Sequence, residues 1–172
     1  MVSIHSDNPF AAPVDQRDPV RRLRGRLAAP VTVLTAGRDE SPAGITVSSF
    51  LVVAGEIPRA AALVGPGSDF TDAAEETGSF VAQVLGVEGR TIADVFAGLR
   101  PSPGGMFAGF DTEMTAWGPR LADVANWAGC RVEETRQLGD QVLMVGEIQE
   151  LSVGDLDDPL IYFRGAYRRL GS

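Results

Sequence analysis

Lysine is absent from this chain of 172 residues, and histidine and cysteine each occur only once. A phosphate-binding P-loop and a pyridoxal phosphate Schiff base both require a lysine, so both are excluded. Zinc sites need several cysteine or histidine ligands, and a Ser-His-Asp or Cys-His mechanism would have to use His5. We therefore expect no catalytic side chain and no metal site, and chemistry carried by a bound cofactor.

The sequence predicts no membrane span and no secretory signal. No apolar run approaches the roughly 18 residues of a membrane span, and the first residues lack the basic and apolar regions of a secretory signal. The single cysteine, Cys130, forbids an intrachain disulfide and suits a reducing compartment. We expect a cytoplasmic protein with a mobile arm over residues 1–17 and one domain over residues 18–172.

Charge is unevenly distributed along the chain. The net charge of −8 and the pI of about 4.6 argue against a nucleic-acid partner. Arginines are nevertheless concentrated at both ends, in residues 1–29 and 164–172, whereas acidic residues dominate between them. Such basic ends either form an ion-paired contact or remain solvated surfaces, and solvated surfaces are the commoner case.

The hydrophobic pattern predicts many short strands and few helices. A first helix should begin at Pro19, capped by Asp18, and end before Pro30, with its apolar stripe on Val20, Leu23 and Leu27. Two further helices are predicted over 68–77, before Gly78, and over 91–99. Strands are predicted over 31–36, 45–53, 60–64, 80–85, 127–136, 141–153, 160–163 and 166–170. Residues 100–126 are expected to form a long loop or lid, and the whole pattern favours a mainly β, antiparallel barrel.

The segment AGITVSSF over residues 43–50 carries three hydroxyl groups in four residues. On a strand, Thr46 and Ser48 share one face while Val47 and Ser49 share the other. Neutral donors on an apolar wall suit a flat ring with polar edges, such as isoalloxazine. An edge strand with solvated hydroxyls is the alternative, and composition alone favours it.

The order of the motifs resembles the flavin reductase family with an FMN-binding split barrel. The resemblance rests on short segments spread over residues 18–170, namely PVTVLTA (30–36), GITVSSF (44–50), Ser68 with Thr71, GSFVAQVL (78–85), DVFAG (94–98), CRV (130–132), GDQVLMVGEI (139–148) and PLIYFRGAYRRL (159–170). It implies an antiparallel split β-barrel with a few short peripheral helices. It also implies a homodimer that reduces FMN or FAD with NADH or NADPH and supplies a partner monooxygenase.

The same resemblance implies which residues meet the cofactors. Thr46, Val47, Ser48 and Ser49 would line the isoalloxazine and ribityl chain, and Ser68 and Thr71 would lie near the phosphate, at a helix N-terminus that favours anions. The remaining implied contacts with flavin or nicotinamide are Gln83, Gln141, Arg164 and Tyr167.

Three positions depart from the family pattern. The loop before the second helix lacks the usual Arg or Lys, and Asp69 and Asp72 place negative charge in the first helical turn, unless Asp69 serves only as the N-cap. Gln141 stands where many relatives have His, and Gln83 stands where Asn is common. These changes motivate an alternative to a reductase, which is a flavin-binding split-barrel protein without significant NAD(P)H-dependent activity.

Overall fold

The computed structural model describes residues 18–38 and 40–170. The predicted arm over residues 1–17, including His5, therefore lies outside the described residues. Three short helices are present, α1 (Pro19–Arg24), α2 (Asp69–Thr77) and α3 (Arg90–Phe96), together with a 3-10 turn over Val87–Gly89. None of these helices is long and apolar enough to cross a membrane.

Strands make up most of the regular structure. In chain order they are β1 (Ala29–Pro30), β2 (Thr32–Ala36), β3 (Ala43–Val47), β4 (Leu51–Val53), β5 (Arg59–Val64), β6 (Ser79–Val84), β7 (Thr112–Thr115), β8 (Gly118–Leu121), β9 (Trp127–Leu138), β10 (Gln141–Ser152), β11 (Ile161–Phe163) and β12 (Ala166–Arg168). Seven of them form one antiparallel sheet in the order β3-β2-β6-β9-β10-β5-β4. The other strands form a sheet β1-β11-β12 and a hairpin β7-β8. The predicted mainly β fold is thus confirmed.

The seven-stranded sheet is strongly curled. Its two edge strands, β3 and β4, are joined by only the three residues 48–50. That connection spans at most about 15 Å, whereas the edges of a flat seven-stranded sheet would lie about 29 Å apart. Ser49 fastens the connection, because its Oγ donates to the Leu63 carbonyl at 2.8 Å and accepts from the Leu63 N–H at 3.1 Å. A curled antiparallel sheet of this kind is consistent with a split barrel.

Apolar side chains pack on both faces of this sheet. One cluster contains Leu34, Phe70, Phe80 and Met144 and packs α2 against the sheet. A second cluster on the opposite face contains Val31, Leu85, Phe96 and Leu160 and includes α3. Strand β2 contributes alternate residues to both clusters, which is why all five of its residues are buried.

Several predicted boundaries are wrong. Helix α1 ends at Arg24 because Gly25 caps it, and its stripe, Val20, Leu23 and Leu27, is exposed. The predicted strand over 45–53 is broken where the chain crosses between sheet edges, and α3 stops at Phe96 with Leu99 exposed. The predicted loop over 100–126 contains the hairpin β7-β8.

Candidate functional site

Some of the predicted contact residues lie around the C-terminal end of β5. Ser49 bonds Leu63 of this strand from one side, which brings the adjacent Ser48 close to the end of the strand. On the other side Val142 pairs with Val64, which places Gln141 next to Gly65. The turn from β5 into α2 starts at this point. The fold therefore brings together three segments that are far apart in the sequence.

Only one hydroxyl of the predicted ring-binding segment is free for a ligand. Thr46 Oγ1 donates to the Ala93 carbonyl of α3 at 2.8 Å, and Val47 is buried in the core. Ser49 is engaged with Leu63, whereas the Ser48 hydroxyl has no partner among residues 18–38 and 40–170. Because β3 is an edge strand, some of its backbone N–H and C=O groups also face away from the sheet. These groups suit the polar edge of a planar ring.

The turn between β5 and α2 is held together by its own hydroxyls. Ser68 Oγ accepts from the Thr71 N–H at 3.2 Å and lies 2.8 Å from Thr71 Oγ1, which in turn donates to the Gly65 carbonyl at 3.0 Å. Ser68 is therefore the N-cap of α2, and the alternative interpretation of Asp69 as the cap is wrong. Both hydroxyls predicted to lie near the phosphate are occupied within the turn.

Backbone groups remain for an anion at the start of α2. Among the described residues, the N–H groups of Asp69 and Phe70 have no partner, and such groups at a helix N-terminus attract anions. The side chains of Asp69 and Asp72 stand in the same first turn and oppose a second negative charge. The turn thus offers donors to a phosphate but no cation.

Gln141 and Gln83 have very different environments. Gln141 is exposed at the tip of the β9-β10 hairpin, where its Nε2 donates to the Asp140 carbonyl at 3.0 Å. Gln83 is fully buried; its Nε2 donates to Thr35 Oγ1 at 3.3 Å and its Oε1 accepts from the Leu121 N–H at 2.6 Å. Gln141 is therefore accessible to a ligand, whereas the Gln83 amide is enclosed by the protein.

Arg164 and Tyr167 form a separate group beside α3. Arg164 is exposed at the β11-β12 turn, with φ of 54° followed by Gly165 at 80°, as in a type I′ turn. Tyr167 is half-buried, with a hydrogen bond to Asp94 and the Arg90 guanidinium 5.5 Å from its ring centroid. Burial, and secondly Asp94, raise the pKa of the Tyr167 phenol, which therefore remains a neutral donor.

Helix α3 links this second group to the predicted ring-binding segment. Its Ala93 carbonyl accepts from Thr46, and the next residue, Asp94, bonds Tyr167. The sequence analysis did not single out Asp94, although it lies in the segment DVFAG. Its Oδ1 is buried without a hydrogen-bond partner in the described chain, a feature that sequence pattern does not reveal.

Two cavities lie elsewhere on the chain. One of about 200 Å³ is lined in part by Arg38, Thr77 and Thr115, and another of about 340 Å³ lies between residues 84–92, 123–126 and 155–156. None of the ten predicted contact residues lines either cavity. The group around the end of β5 lies at the surface of the single chain, with Gln141 and Asp69 exposed and Ser48 half-buried. Its free hydroxyl and edge-strand backbone fit a flavin ring, while its phosphate donors are backbone N–H groups alone.

Comparison with known proteins gives a consistent result. Residues 24–171 match the flavin reductase like domain. The chain is 33% identical to the NADH-dependent FMN reductase AsuE2 of Streptomyces nodosus subsp. asukaensis over 159 residues, covering 90% of this chain and 85% of that protein. It is 28% identical over 156 residues to the reductase component of 4-nitrophenol 4-monooxygenase/4-nitrocatechol 2-monooxygenase of Rhodococcus opacus, covering 90% and 81%.

The fold agrees with these similarities. The solved structure of the Streptomyces globisporus C-1027 NADH:FAD oxidoreductase SgcE6 matches with a TM-score of 0.80 at 25% sequence identity, over 94% of this chain and 99% of that one. The family match extends from α1 to the end of the chain and includes every segment that carries a predicted contact residue. The chain therefore belongs to the flavin reductase-like domain family.

Proposed function

We propose that the chain is an NAD(P)H-dependent flavin reductase that reduces FMN or FAD and supplies the reduced flavin to a partner monooxygenase. The observation that carries this proposal is the family match over residues 24–171 together with relatives that are named as reductases and reductase components. The scarcity of lysine and histidine agrees with it, since hydride transfer to a flavin needs alignment of two cofactors and no side-chain base.

The residues around the end of β5 have distinct parts in this proposal. Ser48 and the outward backbone groups of β3 would hold the polar edge of the flavin ring, and Gln141 would meet the nicotinamide. The N–H groups of Asp69 and Phe70 would hold the phosphate. When bound, the flavin supplies the hydride acceptor. Thr46, Val47 and Ser49 would shape the wall through the backbone, because their side chains are engaged within the protein.

The remaining predicted contacts would act either from the group beside α3, formed by Arg164 and Tyr167, or by holding other parts of the site in place. Tyr167 would present a neutral hydroxyl and Arg164 a positive charge at the rim of the site. Ser68 and Thr71 would fix the turn whose N–H groups face the phosphate. Gln83 would contribute by holding strands in place.

We also propose that the working molecule is a cytoplasmic homodimer of one domain over residues 18–172 preceded by an arm over residues 1–17. The contact residues around the end of β5 lie at the surface of the single chain, and a second copy would enclose them. Exposed apolar side chains on the edge strand β4, Leu51, Val52 and Val53, support such an assembly. Closed two-fold dimers are the commonest oligomers.

A turnover assay tests the activity. Purified protein is mixed with FMN or FAD and with NADH or NADPH, and the absorbance of both cofactors is followed with time. Protein-dependent loss of NAD(P)H is the expected result. Flavin binding without turnover would instead support the non-reducing flavin binder that Asp69, Asp72 and Gln141 motivate, and absence of binding would contradict both functions.

Substitution of Ser48 tests the location of the ring. Ser48→Leu places a bulky apolar group where the free hydroxyl stands, and we expect the flavin dissociation constant to rise about tenfold or more, equivalent to about 1.4 kcal/mol. The matched control is Ser152→Leu, at an exposed serine near the end of β10. Fluorescence titration measures the affinity and thermal unfolding confirms the fold. Unchanged affinity in a folded Ser48→Leu protein would place the flavin elsewhere.

A further inference from the structure

Helix α1 presents an amphipathic surface that the described chain leaves uncovered. Its apolar side chains Val20 and Leu23 are 70% and 68% exposed, Leu27 just beyond its end is 66% exposed, and no residue of the helix is buried. Residues 19–29 carry four arginines and no acidic residue, and none of these arginines is ion-paired within the described chain. A short helix with an uncovered apolar stripe gains stability only when another surface covers it.

A complementary groove exists on the same fold. The cavity of about 340 Å³ has an apolar lining that includes Val84, Leu85, Ile92, Val124 and Leu156. Three carboxylates, Glu88, Asp123 and Asp155, also line it, and all three residues are exposed. No basic side chain of the described residues forms an ion pair with them. The groove thus combines an apolar floor with a negatively charged rim.

We propose that α1 of one copy docks into this groove of a second copy in the homodimer. The apolar stripe would cover the groove floor, and the arginines on either side of the stripe would lie against the carboxylates of the rim. Opposite charges on the two surfaces favour this pairing and disfavour groove-to-groove or helix-to-helix contacts, in which like charges would meet.

The path of the chain makes a reciprocal exchange geometrically reasonable. Helix α1 leads into β1, and the following residue, Val31, accepts a backbone hydrogen bond from Leu85, which lines the groove. Each helix is thus tethered close to the groove of its own copy yet stands away from it. Two copies related by a two-fold axis form the contact twice, which closes the assembly at a dimer. The inference rests on the proposed homodimer and is independent of the reductase activity.

Sedimentation velocity over a concentration series tests the contact. Leu23→Asp places a charge in the middle of the stripe, and we expect the dimer dissociation constant to rise at least tenfold. The control is Leu138→Asp, at an exposed leucine at the β9-β10 turn, which should leave the constant unchanged. A dimer of equal affinity in Leu23→Asp would overturn the docking contact while preserving the homodimer. A monomeric wild type would overturn both, and the turnover assay would still decide the activity.

Disulfide trapping identifies the copy that holds the helix. Leu23→Cys and Leu156→Cys are prepared as separate proteins, since Cys130 is buried and does not compete. Oxidation of the mixture should give a cross-linked species of twice the chain mass, and each protein alone should give markedly less. Cross-linking only within one chain, in the double variant Leu23→Cys/Leu156→Cys, would show that α1 folds back on its own groove and would overturn the exchange.

Discussion

The amide of Gln83 joins three strands at a position that no solvent reaches. From β6 it donates to Thr35 of β2 and accepts from the Leu121 N–H of β8. A leucine at this position would fill similar space but would leave a buried N–H without an acceptor, at a cost of about 1–3 kcal/mol. We therefore expect Gln83→Leu to lower the free energy of unfolding by about this amount, as measured by urea denaturation.

A matched substitution distinguishes a structural role of Gln83 from a role in cofactor binding. Gln137 is exposed on β9, and its Nε2 bonds the nearby Gly139 carbonyl, so Gln137→Leu should leave stability within about 0.5 kcal/mol of the wild type. Unchanged stability of Gln83→Leu combined with weaker flavin binding would contradict the structural assignment. Gln83 would then be a cofactor contact, as the family resemblance implies.

The predicted contact residues show what sequence pattern can and cannot give at the scale of single residues. Alternation places Val47 and Ser49 on one face, and in the structure Val47 is buried in the core while Ser49 bonds Leu63. Which hydroxyl is free depends on distant partners, since Thr46 bonds α3 and Ser49 bonds β5. Those partners are 47 and 14 residues away in the chain, and local periodicity carries no information about them.

The turn of the hairpin β7-β8 packs on the sheet through an aromatic side chain, Trp117, in addition to the contacts of β8 with Gln83. Trp117 covers the backbone of Gly129 on β9 so closely that a Cβ built there would lie 2.0 Å from Trp117 Cδ1, and the indole N–H bonds Glu150 at 3.1 Å. Gly129→Ala would therefore displace the indole. We expect a loss of about 1–3 kcal/mol in the free energy of unfolding, with a shift in tryptophan fluorescence in the folded state.

Gly109 supplies the control for this prediction. It precedes β7, is exposed, and has no heavy atom within 4 Å of the position that a Cβ would take. Gly109→Ala should leave both stability and fluorescence unchanged. A Gly129→Ala protein with wild-type stability and emission would show that the hairpin is held by contacts other than Trp117.

The same hairpin marks the limit of prediction at the scale of elements. Short β-rich runs bounded by turn residues located β2, β5, β6 and β10, alternation of apolar and charged residues located β9, and Gly78 correctly ended α2. Residues 100–126 show no such pattern. Strands β7 and β8 pair with each other in a separate hairpin, and their position depends on contacts with the large sheet that local sequence does not reveal. The break between β3 and β4 was also missed, since the crossing residues Ser48, Ser49 and Phe50 include no glycine or proline to mark it.

At the scale of the whole molecule, the sheet order could not be derived from the strand pattern. The pattern gives the number of strands and their antiparallel tendency, whereas the order β3-β2-β6-β9-β10-β5-β4 arises from long-range pairing. This order brings residues 48, 65 and 141 to one end of β5. The family resemblance anticipated that grouping, whereas composition and periodicity did not.

The ionisable groups of the described residues lead to a prediction about the pH dependence of turnover. Each pKa that departs from its ordinary value moves further from pH 7. Burial raises the pKa of Cys130 to about 12, and burial with Asp94 raises that of Tyr167. The ion pair between Arg59 and Glu133 raises the pKa of Arg59 and lowers the pKa of Glu133. None of these four groups therefore changes its charge between pH 6 and pH 8.

We therefore expect kcat/KM for NAD(P)H-driven flavin reduction to vary by less than about twofold between pH 6 and pH 8, in contrast to the bell-shaped profile that a general acid or base produces. Steady-state rates in buffers of constant ionic strength measure this profile. His5, the only histidine, lies outside the described residues and supplies the control. A bell-shaped profile that persists in His5→Ala would contradict the prediction, whereas one that flattens in His5→Ala would bring the N-terminal segment into the site.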